Sequence, residues 1–180
     1  STYATAARTA NISGFDTLQG NSGKDTFSIV NNNTTTKYTL KGGAGLDAFN
    51  FGVNSLATLG KDVSVDGEGA EATLTLDDSS TAANRDYELG TNSIQRQLGV
   101  TLFGKADHAN ISNLTLTASN GTNIISVIGM PAVSGTTKLN GGTGDDSLNL
   151  GTALSPATVK LTGTTAFPAT TGFNGDVTST

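Results

Sequence analysis

Three aspartates that follow closely spaced glycines are the residues of this sequence best suited to bind a cation. Residues 139–150 read L-N-G-G-T-G-D-D-S-L-N-L, residues 40–51 read L-K-G-G-A-G-L-D-A-F-N-F, and residues 18–29 carry a looser copy. The aspartates at the matching position are Asp25, Asp47 and Asp146, and carboxylate oxygens are ligands that calcium prefers. The alternative, which we favour, is that these side chains accept hydrogen bonds from the free amides of a tight turn. We therefore expect no cofactor and keep calcium at these three aspartates as the alternative.

Residues that suggest catalysis are sparse. The single histidine, His108, lies in K-A-D-H-A-N and is read as a solvated loop residue. The pairs Asp77 with Asp78 and Arg85 with Asp86 are the types that polysaccharide-degrading enzymes use as acids and bases, but we read them as exposed turn caps. The sequence shows no phosphate-binding loop, because the glycines at 67–72 lack the lysine and the following helix. We predict no catalytic residues and no enzyme activity.

The acidic turns belong to a repeated strand–turn–strand unit. Its five copies begin at Leu18, Leu40, Val65, Leu116 and Leu139. Successive copies are 22, 25, 51 and 23 residues apart, so the long step spans two ordinary steps. We expect Y-E-L-G-T-N-S-I at 87–94 to be the unit that has lost its glycine turn. Ala72 replaces the acidic residue in the third copy, whose turn we expect to differ in shape.

Alternation of apolar and polar residues after each turn indicates β-strands with one buried face. Aligned by the repeat, the apolar positions form three rows that we expect to stack along the core. The rows are Phe27, Phe49, Leu74, Ile125 and Leu148; Ile29, Phe51, Leu76, Val127 and Leu150; and Leu18, Leu40, Val65, Leu116 and Leu139. The repeat predicts an all-β fold, a right-handed parallel β-helix (β-solenoid) of about seven coils of roughly 22–26 residues.

A longer period divides the chain into two related units. A-N-I-S occurs at 10–13 and again at 109–112, which is 99 residues later. We predict an N-terminal cap or frayed end at 1–9 and one domain at 10–180, with internal units 10–108 and 109–180. Because the second unit breaks off before its fourth coil is clear, we expect the chain to be a piece of a longer array.

The bulk composition excludes several classes of partner. The net charge is -5 and the ten basic residues form no cluster, so we expect no nucleic-acid partner and no attraction to an anionic membrane surface. No apolar stretch is long enough for a membrane-spanning helix, so we expect no membrane insertion. The chain has no cysteine, which excludes disulfides and thiolate metal sites.

The glycine–aspartate turns resemble the G-G-x-G-x-D-x-(Leu/Phe)-x nonapeptide of the RTX-type calcium-binding proteins. Residues 141–148 and 42–49 match it in full, and 20–27 match in part. In that family calcium lies between two consecutive nonapeptides, whereas here the nonapeptides come singly. Together with L-T-L-D-D-S-S at 74–80 and I-S-N-L-T-L at 111–116, the pattern is similar to repeat regions of large secreted bacterial surface proteins. The resemblance implies a β-helix at the bacterial cell surface or outside the cell, in an adhesin, matrix or envelope protein.

Three functions follow as hypotheses. The first is a non-enzymatic structural or adhesive module of an extracellular bacterial repeat protein. The second is a carbohydrate-binding module that uses an outer sheet face or the loops at 52–62 and 77–100, with polysaccharide or another cell-surface component as partner. The third is a polysaccharide-degrading β-helix enzyme. Because the ends of a stack are bare strand edges, we also expect end-to-end self-association.

Overall fold

A computed structural model describes residues 15–30, 37–57, 59–69, 71–97 and 104–150, together with the backbone of 159–162 and 177–179. The predicted cap or frayed end at 1–9 lies outside these ranges. The described residues form strands and connections, and no helix among them is long and apolar enough to cross a bilayer.

Fifteen β-strands make up the regular structure of the described chain. They are β1 (Thr17–Gln19), β2 (Thr26–Ile29), β3 (Tyr38–Lys41), β4 (Ala48–Phe51), β5 (Val63–Asp66), β6 (Ala72–Asp77), β7 (Arg85–Leu89), β8 (Ser93–Gln97), β9 (Ala106–Ala109), β10 (Ile111–Thr117), β11 (Asn123–Val127), β12 (Thr137–Asn140), β13 (Ser147–Leu150), β14 (Val159–Thr162) and β15 (Val177–Ser179). Burial alternates residue by residue along most of them, as expected when one sheet face packs on a core and the other meets solvent.

The strands lie in two sheets that share one core. The eight-stranded sheet has the order β1-β3-β5-β9-β8-β7-β11-β13, and the seven-stranded sheet has the order β15-β14-β12-β10-β6-β4-β2. Inward residues of both sheets, such as Leu40 and Val65 from one and Phe49 and Leu74 from the other, belong to a single buried cluster. The chain therefore packs as two facing layers with apolar side chains between them.

The prediction of a right-handed parallel β-helix with about seven regular coils is wrong, although the all-β class is found. The order of the eight-stranded sheet departs from chain order, and β8 runs antiparallel to both β7 and β9. The physical cause is the segment 87–94, which we expected to supply a coil without its glycine turn. Instead, the Gly90 N–H donates to the Ser93 carbonyl at 2.8 Å and closes a β-hairpin between β7 and β8.

The predicted rows hold within each half of the chain and break between the halves. Phe27, Phe49 and Leu74 are register partners in the seven-stranded sheet, but the next residue in that row is Leu114. Ile125 pairs instead with Leu148 and Tyr87, in the eight-stranded sheet. In the same way, the row Leu18, Leu40 and Val65 continues to His108, whereas Leu116 and Leu139 join Leu76. The strand that follows the glycine turn thus changes sheet between the two halves.

Side chains from connections complete the core. The rings of Phe27 and Phe49 stack with centroids 5.1 Å apart. Leu56 and Leu59, in the connection between β4 and β5, are fully buried. At the β1–β2 end of the stack, Phe15 and Val30 are exposed, and the edges of β1 and β2 have no neighbouring strand in the described chain. End-to-end self-association through such edges stays a prediction.

Candidate functional site

The turns that carry the acidic residues lie on two opposite sides of the molecule. All strands of the eight-stranded sheet except β8 run one way, and they lead into the seven-stranded sheet through turns at 20–25, 42–47 and 67–71. We call this side the first turn face. The chain returns to the eight-stranded sheet through the turns at 78–84, 118–122 and 141–146, which form the second turn face. Because the post-glycine strand changes sheet, the two full G-G-x-G-x-D motifs lie on different faces.

Asp25 and Asp47 occupy neighbouring turns on the first turn face. The Asp25 N–H donates to Oδ1 of Asp47 at 2.9 Å, and Oδ2 of Asp25 accepts the Asn21 N–H at 2.9 Å. Asp47 is 1% exposed, and its Oδ2 has no hydrogen-bond partner among the described residues. Gly43 has a φ of 89° and its Cα faces the Asn21 carbonyl, so a side chain there would clash with the preceding turn. The carboxylate of Asp47 thus ties its own turn to the one before it.

The third turn of this face has a different shape, as its sequence predicted. Ala72 stands where the acidic residue would be, and it is buried at the start of β6. Glu68 takes up a left-handed φ of 51° and its N–H donates to Oδ1 of Asp66 at 3.0 Å. Asp66, before the turn, therefore takes the place of the missing acidic residue: the same oxygen also accepts the side-chain amide of Asn110, in the connection between β9 and β10, at 2.8 Å.

Asn123 and Asp146 repeat the arrangement on the second turn face. The Asn123 N–H and its side-chain amide both donate to Oδ1 of Asp146, at 2.9 and 2.8 Å. In turn, Oδ1 of Asn123 accepts the Arg85 N–H at 3.2 Å. Burial raises the pKa of Asp146, and the bonds from Asn123 only partly offset this. The side chain at this position is therefore used to hold backbone amides, whether it is an acid or an amide.

Asp78 is the most enclosed acidic residue of this face. Its side chain is 0% exposed, and Oδ2 is 3.1 Å from Nη1 of Arg96, which reaches in from β8. The Tyr87 hydroxyl donates to the same oxygen at 2.9 Å, and Oδ1 accepts the Leu56 N–H at 2.9 Å and the Thr81 hydroxyl at 2.8 Å. Burial, followed by the charge of Asp78, raises the pKa of Tyr87. The reading of Asp78 as an exposed cap is wrong, because it caps a turn from inside the core.

The remaining candidates for catalysis also lie apart. Oδ1 of Asp77 accepts the Ser79 N–H at 3.0 Å, and Nη1 of Arg85 donates to the Asn84 carbonyl at 3.0 Å, so both serve local turns. His108 is not a solvated loop residue as predicted: it lies on β9, points inward and is 3% exposed. Neither ring nitrogen has a hydrogen-bond partner among the described residues. Within the described ranges, the ring therefore lacks the hydrogen bond to a nucleophile that general-base catalysis requires.

The three calcium candidates do not form one site. Asp25 and Asp47 are neighbours on the first turn face, whereas Asp146 lies on the second. Within the described ranges, no group of three or more His, Cys, Asp or Glu side chains converges on a point. A hard cation wants six or more oxygens, so a site at Asp25 and Asp47 would need backbone carbonyls of the glycine turns for most of its ligands. The absence of a cofactor stays a prediction, with calcium at these aspartates as the alternative.

A polar groove runs beside the first turn face. One part has a volume of about 520 Å³ and is lined by side chains that include Lys24, Glu71, Thr73 and Asn113. A second part, of about 480 Å³, is lined by residues that include Asn92, Asn110 and Ile111. The two parts share Ser134. This groove could not be predicted from the sequence, because its lining residues come from six separate connections and from several strands.

Hydroxyl, amide and charged groups in such a groove can exchange hydrogen bonds with a polar ligand. The carboxylates of Asp25, Asp47, Asp78 and Asp146, in contrast, each have at least one oxygen bonded to a backbone amide. Comparison with models of known protein families, with curated proteins and with solved structures finds no match.

Proposed function

We propose that this chain is a non-enzymatic structural module of an extracellular bacterial repeat protein. The observation that supports this function is a set of bonds that link each acidic or amide turn to the turn before it. The linked pairs are Asp47 with the Asp25 N–H, Asp78 with the Leu56 N–H, Asn123 with the Arg85 N–H, and Asp146 with the Asn123 N–H. The acidic and amide side chains that are best suited to bind a ligand are thereby bonded to the backbone of a neighbouring turn.

The links add to the strand pairing, which alone leaves turn amides unpaired. A buried amide that loses its partner costs about 1–3 kcal/mol. The four linking side chains, Asp47, Asp78, Asn123 and Asp146, are all buried. Each link therefore joins two turns more firmly than an exposed side chain would. Strands and turns linked in this way suit a rigid module that holds neighbouring domains apart under mechanical force. The location outside a bacterial cell comes from the resemblance of the turns to secreted repeat regions.

Mechanical unfolding of single molecules tests the structural role. The chain is placed between two marker domains and pulled at constant speed, and Asn123→Ala is compared with Asn149→Ala. Asn123 links two turns, whereas Asn149 is exposed on β13. We expect Asn123→Ala to unfold at lower force than the unchanged chain and Asn149→Ala to match it. Equal unfolding forces for all three chains would contradict the proposal.

A second candidate function is carbohydrate binding, which the groove beside the first turn face favours. Its lining mixes a cation, a carboxylate, amides and hydroxyls, and a cleft of about 520 Å³ falls in the usual range for small-ligand sites. The ligand would be a polysaccharide segment that exchanges hydrogen bonds with Lys24, Glu71 and Ser134. The groove includes Asn92 from the predicted loop at 77–100, but no residue of the predicted loop at 52–62 lines it.

Binding to a panel of insoluble polysaccharides and a glycan array tests this second function. We expect the combined variant Lys24→Ala with Glu71→Ala to lose at least tenfold in affinity for any glycan that the unchanged chain retains. Lys61→Ala is the control, because Lys61 lies in the connection between β4 and β5 on the second turn face. The absence of retained glycan, or equal retention by both variants, would remove this candidate.

A further inference from the structure

His108 occupies a position in the core that its neighbours fill with apolar side chains. Along the eight-stranded sheet, its register partner is Val65, and Leu40 and Leu18 follow in the same row. The imidazole is 3% exposed, and neither Nδ1 nor Nε2 has a hydrogen-bond partner within the described part of the chain. A neutral imidazole in this place already carries the cost of an unpaired polar group, and an imidazolium would cost much more.

The same residue lies at the junction where the sheet changes from parallel to antiparallel pairing. On one side, β9 runs parallel to β5; on the other, it meets β8, the second strand of the β7–β8 hairpin. The His108 N–H donates to the Asn92 carbonyl in the hairpin turn, at 2.9 Å. Only two residue pairs, Ser93 with Asp107 and Ile94 with Ala106, join β8 to β9. The backbone of His108 therefore holds one of the few bonds between β9 and the β8 side of the hairpin, whereas β7 is paired in parallel with β11 over five residue pairs.

The second part of the groove, with a volume of about 480 Å³, lies beside this junction. It is lined by Asn92, whose carbonyl accepts the His108 N–H, and by Ala109, the next residue in the sequence. A small displacement of the hairpin turn would extend that cavity to the ring. An imidazolium could then be solvated without complete unfolding of the stack.

We propose that His108 is an acid-sensitive joint whose protonation loosens β8 and the hairpin turn from β9, while β7 stays paired with β11. Above the ordinary pKa of histidine, the neutral ring stays in the core and the hairpin is held. Below it, the ring gains a charge that the apolar row cannot accommodate, and the hairpin turn moves to admit water. The joint does not depend on the structural or the carbohydrate-binding role.

Charged groups on every neighbouring element are already occupied or face away from the ring. On β9 itself, Asp107 points outward and pairs with Lys37 and Lys105. The others are Asp66 on β5, which accepts from Asn110; Arg96 on β8, which pairs with Asp78; Asp77 on β6, which accepts from Ser79; and Asp47 in the first turn face, which accepts from Asp25. Strand β10, across the core, carries no titratable side chain. Among the groups just named, only Asp47 keeps a buried oxygen, Oδ2, without a hydrogen-bond partner in the described part of the chain.

The direction of the pH effect follows from the burial of the ring. Burial lowers the pKa of His108, and the charge of Asp107 offsets only part of this. The unfolded chain therefore binds the proton more readily than the folded chain does. Stability conferred by the neutral ring is fully present above about pH 6.5 and is lost as the pH falls below it, by up to about tenfold in the folding equilibrium per pH unit.

Titration of the imidazole by NMR tests the proposal directly, since His108 is the only histidine and its ring signals need no assignment. We expect the ring to stay neutral below pH 6.5 while the fold is intact. Its protonation should coincide with shifts of backbone amides in β8 and the hairpin turn. A ring that titrates near pH 6.5 with no change in those amides would overturn the proposal.

Two variants distinguish the effect of protonating His108 from the effect of a buried polar side chain. His108→Leu matches the rest of the row, and His108→Gln keeps a polar group without a proton to gain. We expect the folding equilibrium of the unchanged chain to fall at least tenfold more than that of either variant between pH 7.5 and pH 5. Hydrogen exchange in the hairpin turn and β8 (90–97) should be faster in the unchanged chain than in His108→Leu at pH 5 and equal at pH 7.5. Parallel pH dependence in all three chains would contradict the joint, and the NMR titration decides if a variant does not fold.

Discussion

Asn123 and Asp146 show what the acidic position of a glycine turn does in this protein. Asn123 accepts the backbone N–H of the turn before it, and Asp146 accepts the backbone N–H of Asn123. The amide nitrogen of Asn123 also lies 2.8 Å from the carbonyls of Ser119 and Gly121 within its own turn. An amide therefore fits the position at least as well as a carboxylate does, because it can both accept from the neighbouring turn and donate to its own.

Substitutions at Asp146 should reflect this chemistry. Asp146→Ala removes the acceptor for two buried donors of Asn123, so we expect a loss of about 1–3 kcal/mol in the free energy of unfolding. Asp146→Asn keeps the acceptor and should lose little. Urea unfolding at pH 7, followed by far-UV circular dichroism because the chain has no tryptophan, measures both.

The two variants should also differ in pH dependence. Because burial raises the pKa of Asp146 above 3.8, the folded chain binds its proton more tightly than the unfolded chain does. Ionisation of Asp146 therefore weakens the fold as the pH rises from about 4, and Asp146→Asn avoids that loss. The stability of Asp146→Asn relative to the unchanged chain should rise from pH 4 to pH 7. A large loss in Asp146→Asn at pH 7 would show that the charge itself is needed, as for a metal ligand.

At the scale of elements, the β7–β8 hairpin is the feature that sets this fold apart from its repeats. Arg96 carries the hairpin's main polar link to the second turn face, through its ion pair with Asp78. The hydroxyl of Tyr87 joins the same cluster and accepts the Ser119 N–H at 3.0 Å. The hairpin is thus fixed at one end by this cluster and at the other by the bond between His108 and Asn92.

Removal of Arg96 should destabilise the protein far more than removal of an exposed cation. Arg96→Met leaves the buried carboxylate of Asp78 without its counter-charge, which costs about 3–5 kcal/mol in comparable buried pairs. The control is Lys41→Met, which breaks the exposed pair with Glu68 and should change stability little. Chemical unfolding of the two variants gives the comparison. Equal, small losses would mean that the Asp78 cluster does not hold the hairpin.

The hairpin could have been predicted from its own residues. Y-E-L and S-I-Q flank a short loop that contains Gly90, which is a hairpin signal. The spacing of the repeats predicts one more coil at the same place, which conflicts with this local signal. His108 was misread for a related reason: its neighbours Asp107 and Ala109 face outward, and the polar residues around it suggested a loop.

At the scale of the whole molecule, the sequence predicts strands and local register well and sheet membership poorly. The pairing of Phe27 with Phe49 and of Leu116 with Leu139 follows from the repeat. The change of sheet does not, because alternation of apolar and polar residues is the same whichever of the two sheets a strand joins. The repeat therefore places the calcium candidates Asp25, Asp47 and Asp146 in one row, although the fold divides them between two turn faces.

The division of the turns between two faces rests on the sheet change, which engineered cysteines can test because the chain has none of its own. Thr75 and Thr115 are register partners on the outer face of the seven-stranded sheet, whereas the repeat alignment assigns Thr75 to the row of Ser126 and so to a different sheet from Thr115. Adjacent strands are about 4.8 Å apart, a separation that a disulfide can span. We expect the double variant Thr75→Cys with Thr115→Cys to form an intramolecular disulfide on mild oxidation, detected by mass spectrometry of the unreduced digest. Thr75→Cys with Ser126→Cys should not, and the reverse result would contradict the account.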